Sequence, residues 1–169
     1  MTERTGEKPM KHPMRRADRQ LPEESTVRLL EEAEYGVLST CGPDNIPYGI
    51  PLSYAIDGRK LYFHGACEGR KHENIAYCNR VSFCVVGRTH PLADVFSTNY
   101  ESVIASGAIH ICRERDEKIR ALRLLIDKYA PENMENGYRY AEYAADNVCI
   151  LCMELSEIIG KSRTSNGQI

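Results

Sequence analysis

The stretch YGVLSTCGPDNIPYGIPLSYAIDGRKLYFHGACEGRKHENI, from Tyr35 to Ile75, decides the fold of this chain. Turn signals, Gly-Pro-Asp-Asn at 42–45 and Asp-Gly at 57–58, separate three β-type runs from one another. The third run leads into a helix that begins at Gly69. The predicted strands are Val37–Cys41, Ile46–Ile56 and Leu61–Gly65.

The opening stretch contains three predicted strands and leads into the predicted helix Gly69–Tyr77. The rest of the chain adds three predicted strands and three predicted helices. The strands are Val81–Val86, Ser102–Cys112 and Val148–Ile159, with a loop around Pro91 after the first of them. The helices are one from Pro22 to about Gly36, Glu114–Tyr129 and Tyr138–Ala145. Six strands in mostly hairpin order, with helices between them, predict a mainly β domain built as a closed or nearly closed antiparallel barrel. The motifs of doubly wound nucleotide-binding folds are absent from the sequence.

Composition places the chain among globular proteins of one domain. It has 169 residues, of which 42% are apolar and 27% are charged. The formal charge of −2 does not favour nucleic acid as a partner, and no apolar run approaches the ~20 residues that span a bilayer. We predict a flexible arm over residues 1–13, a single domain over 14–160 and a tail over 161–169.

Seven cysteines form an odd set, and the start of the chain has no apolar segment typical of a secretory signal. Free thiols in a reducing cytoplasm are therefore expected. Cys149 and Cys152 match the pattern C-x-x-C within a β-type run. Residues three apart in a strand point to opposite faces, so we interpret both as buried structural cysteines and predict no metal site.

Arg70 and Lys71 occupy the first turn of the predicted helix after the third strand. Two cations at the positive end of a helix dipole are unfavourable unless an anion binds there. A phosphate that accepts hydrogen bonds from the helix N-terminus would explain both charges. The alternative is that the two side chains are simply solvated.

Pro47 and Pro51 flank Tyr48-Gly49-Ile50 in the second predicted strand. Proline cannot donate to a β-ladder, so this strand must lie at an edge, contain a bulge, or face something other than a strand. The backbone groups of Gly49–Ser53 are then available to the polar edge of a flat heterocycle, such as an isoalloxazine or a pterin. A simple barrel corner, where glycine and proline also collect, is an equally good interpretation.

His64 ends the third strand, on the same face as Tyr62. A strand rises ~3.3 Å per residue, so an anion bound by Arg70 and Lys71 would lie within one cofactor length of this histidine. His64 is therefore a candidate catalytic residue, although a lone histidine is often a surface or core residue. The other four histidines have no such context.

Several blocks of the sequence, in order, resemble one family. They are MRRADR, YGVLST, PYGIPLSYA, LYFHGACEGRKHENI, YESVIASG and IIGK, between Met14 and Arg163. These blocks are similar to the nitroimidazole reductase (Nim) family, which belongs to the FMN-binding split-barrel flavoproteins related to pyridoxamine 5′-phosphate oxidase. The block LYFHGACEGRK carries the most specific part of the resemblance.

The resemblance implies a six-stranded split barrel that binds FMN at the interface of a homodimer. Arg70 and Lys71 match the residues that bind the phosphate, and His64 lies beside the cofactor in the matching position. Tyr100 and Ser102 match positions that reach the cofactor, in some cases from the partner subunit, and Gly160-Lys161 matches a family motif. The cofactor-binding residues that the resemblance implies are Gly49, Ile50, Pro51, Leu52, Ser53, Tyr54, His64, Gly65, Arg70, Lys71, Tyr100 and Ser102.

The resemblance therefore implies a cytoplasmic FMN-dependent reductase of small, electron-poor, nitroaromatic-like acceptors, with His64 as the catalytic residue. The chain has no tryptophan and lacks the C-terminal Trp and Arg that pyridoxamine 5′-phosphate oxidases place at their substrate, so that oxidation is not expected. Two alternatives remain open. The same barrel could bind FMN or haem without turnover, or it could be a structural barrel with an empty site.

Overall fold

The computed structural model describes residues 13–164 of the chain. The strands are β1 Gly36–Cys41, β2 Pro47–Leu52, β3 Ala55–Asp57, β4 Lys60–Gly65, β5 Arg80–Leu92, β6 Ser97–Ile111 and β7 Cys149–Arg163. The helices are α1 Glu23–Glu32, α2 Arg70–Tyr77, α3 Arg115–Tyr129 and α4 Met134–Ala144, with short 3₁₀ turns at Ala17–Arg19, Ala93–Val95 and Pro131–Asn133. In the described part of the chain, no helix has both the length and the apolar character needed to cross a membrane.

The strands form one antiparallel sheet in the order β2-β1-β5-β6-β7-β4-β3. The predicted fold class is confirmed, but the number of strands is seven rather than six. The predicted strand Ile46–Ile56 divides at residues 53–54 into β2 and β3, which lie at opposite edges of the sheet.

The two-residue connection between β2 and β3 explains the shape of the sheet. Leu52 and Ala55 are three Cα–Cα steps apart and so span at most ~11 Å, and the sheet must curl until its two edges are neighbours. Within residues 13–164 no ladder joins β2 to β3, and the barrel is closed by the chain rather than by hydrogen bonds. The result is a split barrel.

Other boundaries differ from the prediction where strands extend beyond the core. The predicted loop around Pro91 is part of β5, which continues to Leu92 and pairs with the start of β6 after a register shift between Val86 and Thr89. Strand β7 passes the predicted end at Ile159 and reaches Arg163. Helix α4 begins at Met134, before the predicted start at Tyr138. Residues 1–12 of the predicted arm and 165–169 of the predicted tail lie outside the described residues.

The barrel interior is one apolar cluster that contains three aromatic rings in mutual contact. The ring centroids of Tyr54 and Phe83 are 4.7 Å apart, and those of Phe63 and Phe83 are 5.0 Å apart, both in edge-on geometry. Alternate residues of β6 face the barrel interior: Val103, Ala105 and Ile109 are buried, Gly107 is half-buried and Ile111 is exposed.

A second apolar cluster lies on the outside of the barrel, beneath α3 and α4. It includes Tyr62 of β4, Cys152 of β7 and Cys112, which follows β6. The part of the sheet formed by β4 and β7 is therefore covered on both faces. Cys149 and Cys152 are both buried, as predicted from their position in a strand.

Tyr129, at the end of α3, is bonded to the connection between the two edge strands. Its hydroxyl accepts the N–H of Tyr54 at 3.0 Å and lies 2.5 Å from the Glu34 carbonyl oxygen and 3.0 Å from that of Tyr54. One of these two oxygens accepts the hydroxyl proton. A single side chain thus joins the α1–β1 connection, the β2–β3 connection and α3.

We expect the Tyr129→Phe variant to lower the free energy of unfolding by about 1–3 kcal/mol, because the N–H of Tyr54 and a backbone carbonyl lose their partner. Tyr143→Phe is the matched control: its side chain is 80% exposed, and the change should be within about 0.5 kcal/mol. Urea unfolding of the two variants measures the difference. Equal free energies of unfolding for the two variants would show that the Tyr129 hydroxyl does not stabilise the connection between β2 and β3.

Candidate functional site

Buried side-chain hydrogen bonds determine the position of α2 against the barrel. The Asn74 side-chain amide donates to the Thr40 hydroxyl at 2.9 Å, and that hydroxyl donates to the Tyr48 carbonyl at 3.3 Å. Asn74 and Thr40 are both buried, so these bonds are costly to lose. They join the middle of α2 to β1 and β2 and bring the start of α2 to the turn between these strands.

The start of α2 gathers several of the predicted site residues. The Arg70 guanidinium lies 4.7 Å above the Tyr48 ring and 3.5 Å from the Asp44 carboxylate. A Cβ atom built on Gly65 would lie 3.5 Å from Lys71 Nζ, so the Lys71 amine is beside the end of β4. The structure therefore brings Gly65, Arg70 and Lys71 together with β2.

The environment of these cations is suited to an anion. Gly69, which precedes α2, has φ +101°, and among the described residues no side chain caps this helix. The ion pair of Arg70 with Asp44 joins two side chains that are 43% and 49% exposed. Exposed ion pairs contribute little to stability, so an incoming phosphate can compete for Arg70. The anion site itself stays a prediction.

Strand β2 has a free edge, which is one of the arrangements that its prolines allow. It pairs with β1 on one side, and on the other side the sheet ends. Ile50 and Leu52 pack against the barrel core. Gly49 and Pro51 face outward: a Cβ atom on Gly49 would lie 3.2 Å from Val37 Cγ1, and Pro51 is exposed.

Tyr54 occupies a different environment from the other predicted cofactor-binding residues. Its ring is fully buried in the barrel interior, and its hydroxyl donates to the Leu30 carbonyl at 2.5 Å. Its backbone N–H donates to Tyr129. Burial raises the pKa of the Tyr54 phenol, and the nearby Tyr129 adds to this effect. Because these groups are already bonded within the protein, we assign Tyr54 to the core rather than to cofactor contacts.

His64 lies at the end of β4, exposed to solvent and opposite Ile150 of β7. The next residue is Gly65, which adjoins the Lys71 amine. Successive residues of a strand point to opposite faces, so the exposed His64 ring lies on the face of Tyr62 and Ile150, while Gly65 faces the Lys71 amine.

Tyr100 and Ser102 lie on the first half of β6, apart in sequence from the start of α2. With their neighbours they form a second group of predicted site residues. Ser102 pairs with Val86 on one side and with Lys161 on the other. Burial would raise the pKa of the Tyr100 phenol, but hydrogen bonds with Arg19 and Lys161 and the charges of these residues outweigh burial and lower it. The Gly160-Lys161 motif therefore adjoins Tyr100 and Ser102.

Two further residues near the site, Lys128 and His72, lie in unusual environments that the sequence did not reveal. Lys128 Nζ lies 3.9 Å from the centroid of the Tyr54 ring, and burial lowers the pKa of this amine to about 8, with Glu31 opposing the shift. Lys128 borders a cleft of about 830 Å³ that also includes Pro51 and Ser53. His72 Nε2 lies 2.6 Å from the Ala66 carbonyl oxygen. Neither residue differs in sequence context from an ordinary helix position.

The sheet order and the divided second strand define the split-barrel class. The chain belongs to the pyridoxamine 5′-phosphate oxidase family, because the sequence model of that family matches residues 22–162. This match confirms the relationship that the sequence blocks predicted. Among proteins with curated functions, none matches the chain in sequence.

Several solved structures share the fold at low sequence identity. A Bacteroides thetaiotaomicron protein named for its proposed role in 5-nitroimidazole antibiotic resistance has a TM-score of 0.74 and 19% identity, with 85% of this chain and 86% of that chain covered. The flavocytochrome Anf3 from Azotobacter vinelandii has a TM-score of 0.76 and 19% identity, with 91% and 73% covered. An FAD- and haem-binding protein from Mycobacterium smegmatis has a TM-score of 0.72 and 16% identity, with 87% and 74% covered.

Proposed function

We propose that this protein binds FMN and reduces small, electron-poor acceptors of the nitroaromatic type. The observation that carries the proposal is the meeting of Arg70, Lys71 and Gly65 beside the free edge of β2. Family membership and the similarity in fold to proteins named as flavin-binding support it.

The residues present fit a flavin phosphate on physical grounds. Arg70 and Lys71 supply two positive charges, and charge-assisted hydrogen bonds are about twice as strong as neutral ones. Gly65 has no side chain, which leaves room beside Lys71 Nζ. The edge of β2 at Gly49 and Ile50 offers backbone donors and acceptors to a flat heterocycle.

The bound flavin would supply the electrons, and the protein would supply binding, orientation and protons. His64 is exposed at the end of β4, one residue before Gly65, and we propose it as the group that donates a proton to an acceptor as negative charge develops. The half-buried Lys128 amine, close to Ser53, would add positive charge at the far end of the same strand.

Anaerobic mixing of the reduced FMN-loaded protein with a nitroimidazole tests the proposed activity. We expect the flavin to be reoxidised in a reaction that saturates with acceptor and produces a reduced nitroimidazole. A rate no higher than that of free reduced FMN would rule out the proposed acceptor class.

An apolar row crosses the outside of the sheet and favours a homodimer. Residues in register across five strands share this outward face: Pro51, Val37, Cys84, Ile104 and Ile159. Ile104 is 51% exposed. Val86 lies two residues after Cys84 on β5, so it shares the outward face, and it is 64% exposed. An exposed apolar patch of this kind marks an interaction surface.

The same face carries both groups of predicted site residues. Tyr100, Ser102 and Ile104 are two residues apart along β6, so their side chains point outward on the same face. Gly49 and Pro51 point outward from β2. We therefore propose that a second copy of the chain packs on this face and brings its Tyr100 and Ser102 to the cofactor of the first. In this arrangement Tyr100, which lies apart from Arg70 and Lys71 in sequence, would reach the cofactor from the second copy.

We expect the Ile104→Glu variant to weaken the dimer by about tenfold or more, because the interface would bury an unpaired carboxylate. Tyr143→Glu on α4 is the control, since it places the same charge on an exposed residue away from the row. Sedimentation velocity at micromolar concentration measures the difference. A wild-type FMN-loaded protein that sediments as a monomer would contradict the proposal.

A haem-binding protein is the second candidate, because two proteins of similar fold are named as a flavocytochrome and as an FAD- and haem-binding protein. In that case the exposed His64 would be the residue that holds the haem iron. A Soret band in the purified protein would decide for haem. For either function we propose a cytoplasmic location, since all seven cysteines are unpaired.

A further inference from the structure

Three residues with metal-binding side chains converge on the outside of the barrel, beyond the site described above. His110 of β6 is the direct cross-strand partner of Cys152 on β7. Cys112 follows two positions after His110, and its backbone N–H bonds to the Ile150 carbonyl, which keeps it beside β7. The ligand atoms of the three residues all lie within 4.8 Å of one another.

We propose that His110, Cys112 and Cys152 bind a thiophilic divalent ion, Zn²⁺, and that a side-chain rotation brings Glu117 of α3, which lies outside this set of three, to the fourth position. Zinc prefers four tetrahedral ligands drawn from thiolate sulfur, imidazole nitrogen and carboxylate oxygen. Its bonds to these atoms are ~2.0–2.3 Å long, which places two ligands of one tetrahedral ion roughly 3.3–3.8 Å apart. Atoms within 4.8 Å of one another reach this spacing with side-chain shifts of about 1 Å. Two thiolates with one imidazole also select zinc over hard cations such as Mg²⁺.

Glu117 lies near this group, although its carboxylate is not among the ligand atoms that lie within 4.8 Å of one another. It lies in the first turn of α3, and its Oε1 accepts hydrogen bonds from Lys60 Nζ and from the Tyr62 hydroxyl, both at 3.1 Å. Oε2 takes part in neither bond. Tyr62 is the cross-strand partner of Cys152, which places Glu117 above the same row of the sheet.

The surroundings match those of a metal centre in two further ways. Partners that orient a ligand are a regular feature of metal sites, and Lys60 and Tyr62 do this for Glu117. A surface cleft of about 730 Å³ reaches His110, Cys112 and Glu117 and gives an ion a path from solvent. Cys112 and Cys152 themselves are buried, which protects the sulfur ligands from solvent.

The pairing of cysteines differs from the one that the sequence pattern suggests. Cys149 Sγ lies 4.0 Å from His72 Nε2, toward α2, while Cys152 joins Cys112 and His110. Of the two cysteines in the C-x-x-C pattern, the zinc site would thus use only Cys152. A bound ion would link β6, β7 and the start of α3, so its role would be independent of the flavin.

Zinc binding by the fully reduced protein tests the proposal. We expect the wild type to bind one Zn²⁺ per chain, measured by metal analysis after gel filtration and by competition with a chelator of known affinity. Co²⁺ in the same site should give visible bands of tetrahedral thiolate coordination at wavelengths beyond those of flavin. His110→Ala and Cys112→Ser should weaken zinc by about 100-fold or more, since loss of an outer partner alone costs about 10–100-fold.

Matched controls separate this site from chance binding. His90→Ala and Cys67→Ser each remove an exposed residue of the same type and should keep the wild-type zinc affinity. His110 is itself exposed, so the His110→Ala variant should stay folded and keep its FMN affinity. Reduced wild type that takes up no zinc, or an unchanged zinc affinity in His110→Ala, would overturn the proposal. So would thiols that form a Cys112–Cys152 disulfide on oxidation yet bind no zinc when reduced.

Discussion

The double variant Arg70→Ala/Lys71→Ala should bind FMN about 100-fold or more weakly than the wild type, with little change in riboflavin affinity. Each charge-assisted hydrogen bond to a phosphate contributes roughly 1.5–3 kcal/mol, and about 1.4 kcal/mol corresponds to a factor of ten. Riboflavin has no phosphate, so it does not experience this loss. Titration followed by flavin fluorescence measures both affinities.

Single variants and a control sharpen this prediction. Lys71→Ala alone should weaken FMN at least about tenfold. Arg28→Ala removes an exposed guanidinium on α1 and should leave both affinities unchanged. Equal losses of FMN and riboflavin affinity in the double variant would show that the start of α2 does not bind the phosphate.

The His64→Ala variant should keep FMN but lose about 100-fold or more in reduction of the acceptor. A positioned general acid contributes on the order of 10²–10⁴ in rate, and His64 is the exposed histidine next to Gly65. Steady-state reduction of a nitroimidazole, with flavin content measured on the same sample, provides the readout. His90→Ala, which changes another exposed histidine, should retain full activity.

Two other outcomes for His64→Ala would assign it differently. Loss of FMN together with activity would make His64 a residue that packs the cofactor. Unchanged turnover with FMN bound would exclude it from both roles.

The core of the fold could be predicted because its signals are local. Val103, Ala105 and Ile109 alternate along β6, and Pro131 ends the region of α3. The seventh strand could not be predicted. The chain from Pro47 to Asp57 is a continuous β-type segment, and only the curl of the whole sheet divides it between two edges.

The long arms of β5 and β6 were missed for a related reason. Pro91 cannot donate a hydrogen bond and indicates a loop in isolation. Opposite Thr98 in the hairpin it continues the pairing of these two strands. Its effect depends on the partner strand, which a local pattern does not reveal.

Residues of the candidate site were predictable where they are neighbours in the chain. His64, Gly65, Arg70 and Lys71 lie within eight positions, at the end of a strand and the start of the next helix. The burial of the Tyr54 ring could not be predicted, because a connection between two strands gives no indication of which way its side chain points.

The cluster of His110, Cys112 and Cys152 could not be predicted from local patterns. His110 lies on β6, Cys112 directly follows β6, and Cys152 lies on β7 some forty residues later in the sequence. Only the register of β6 against β7 brings them together. The sequence pattern instead grouped Cys152 with Cys149, which faces α2.

Identification of the cofactor in the purified protein tests the central claim most directly. The protein should have the absorption spectrum of an oxidised flavin, and denaturation should release FMN, identified by chromatography, at one molecule per chain. A colourless protein that takes up no FMN on incubation, or one with a Soret band and no flavin, would contradict the proposal.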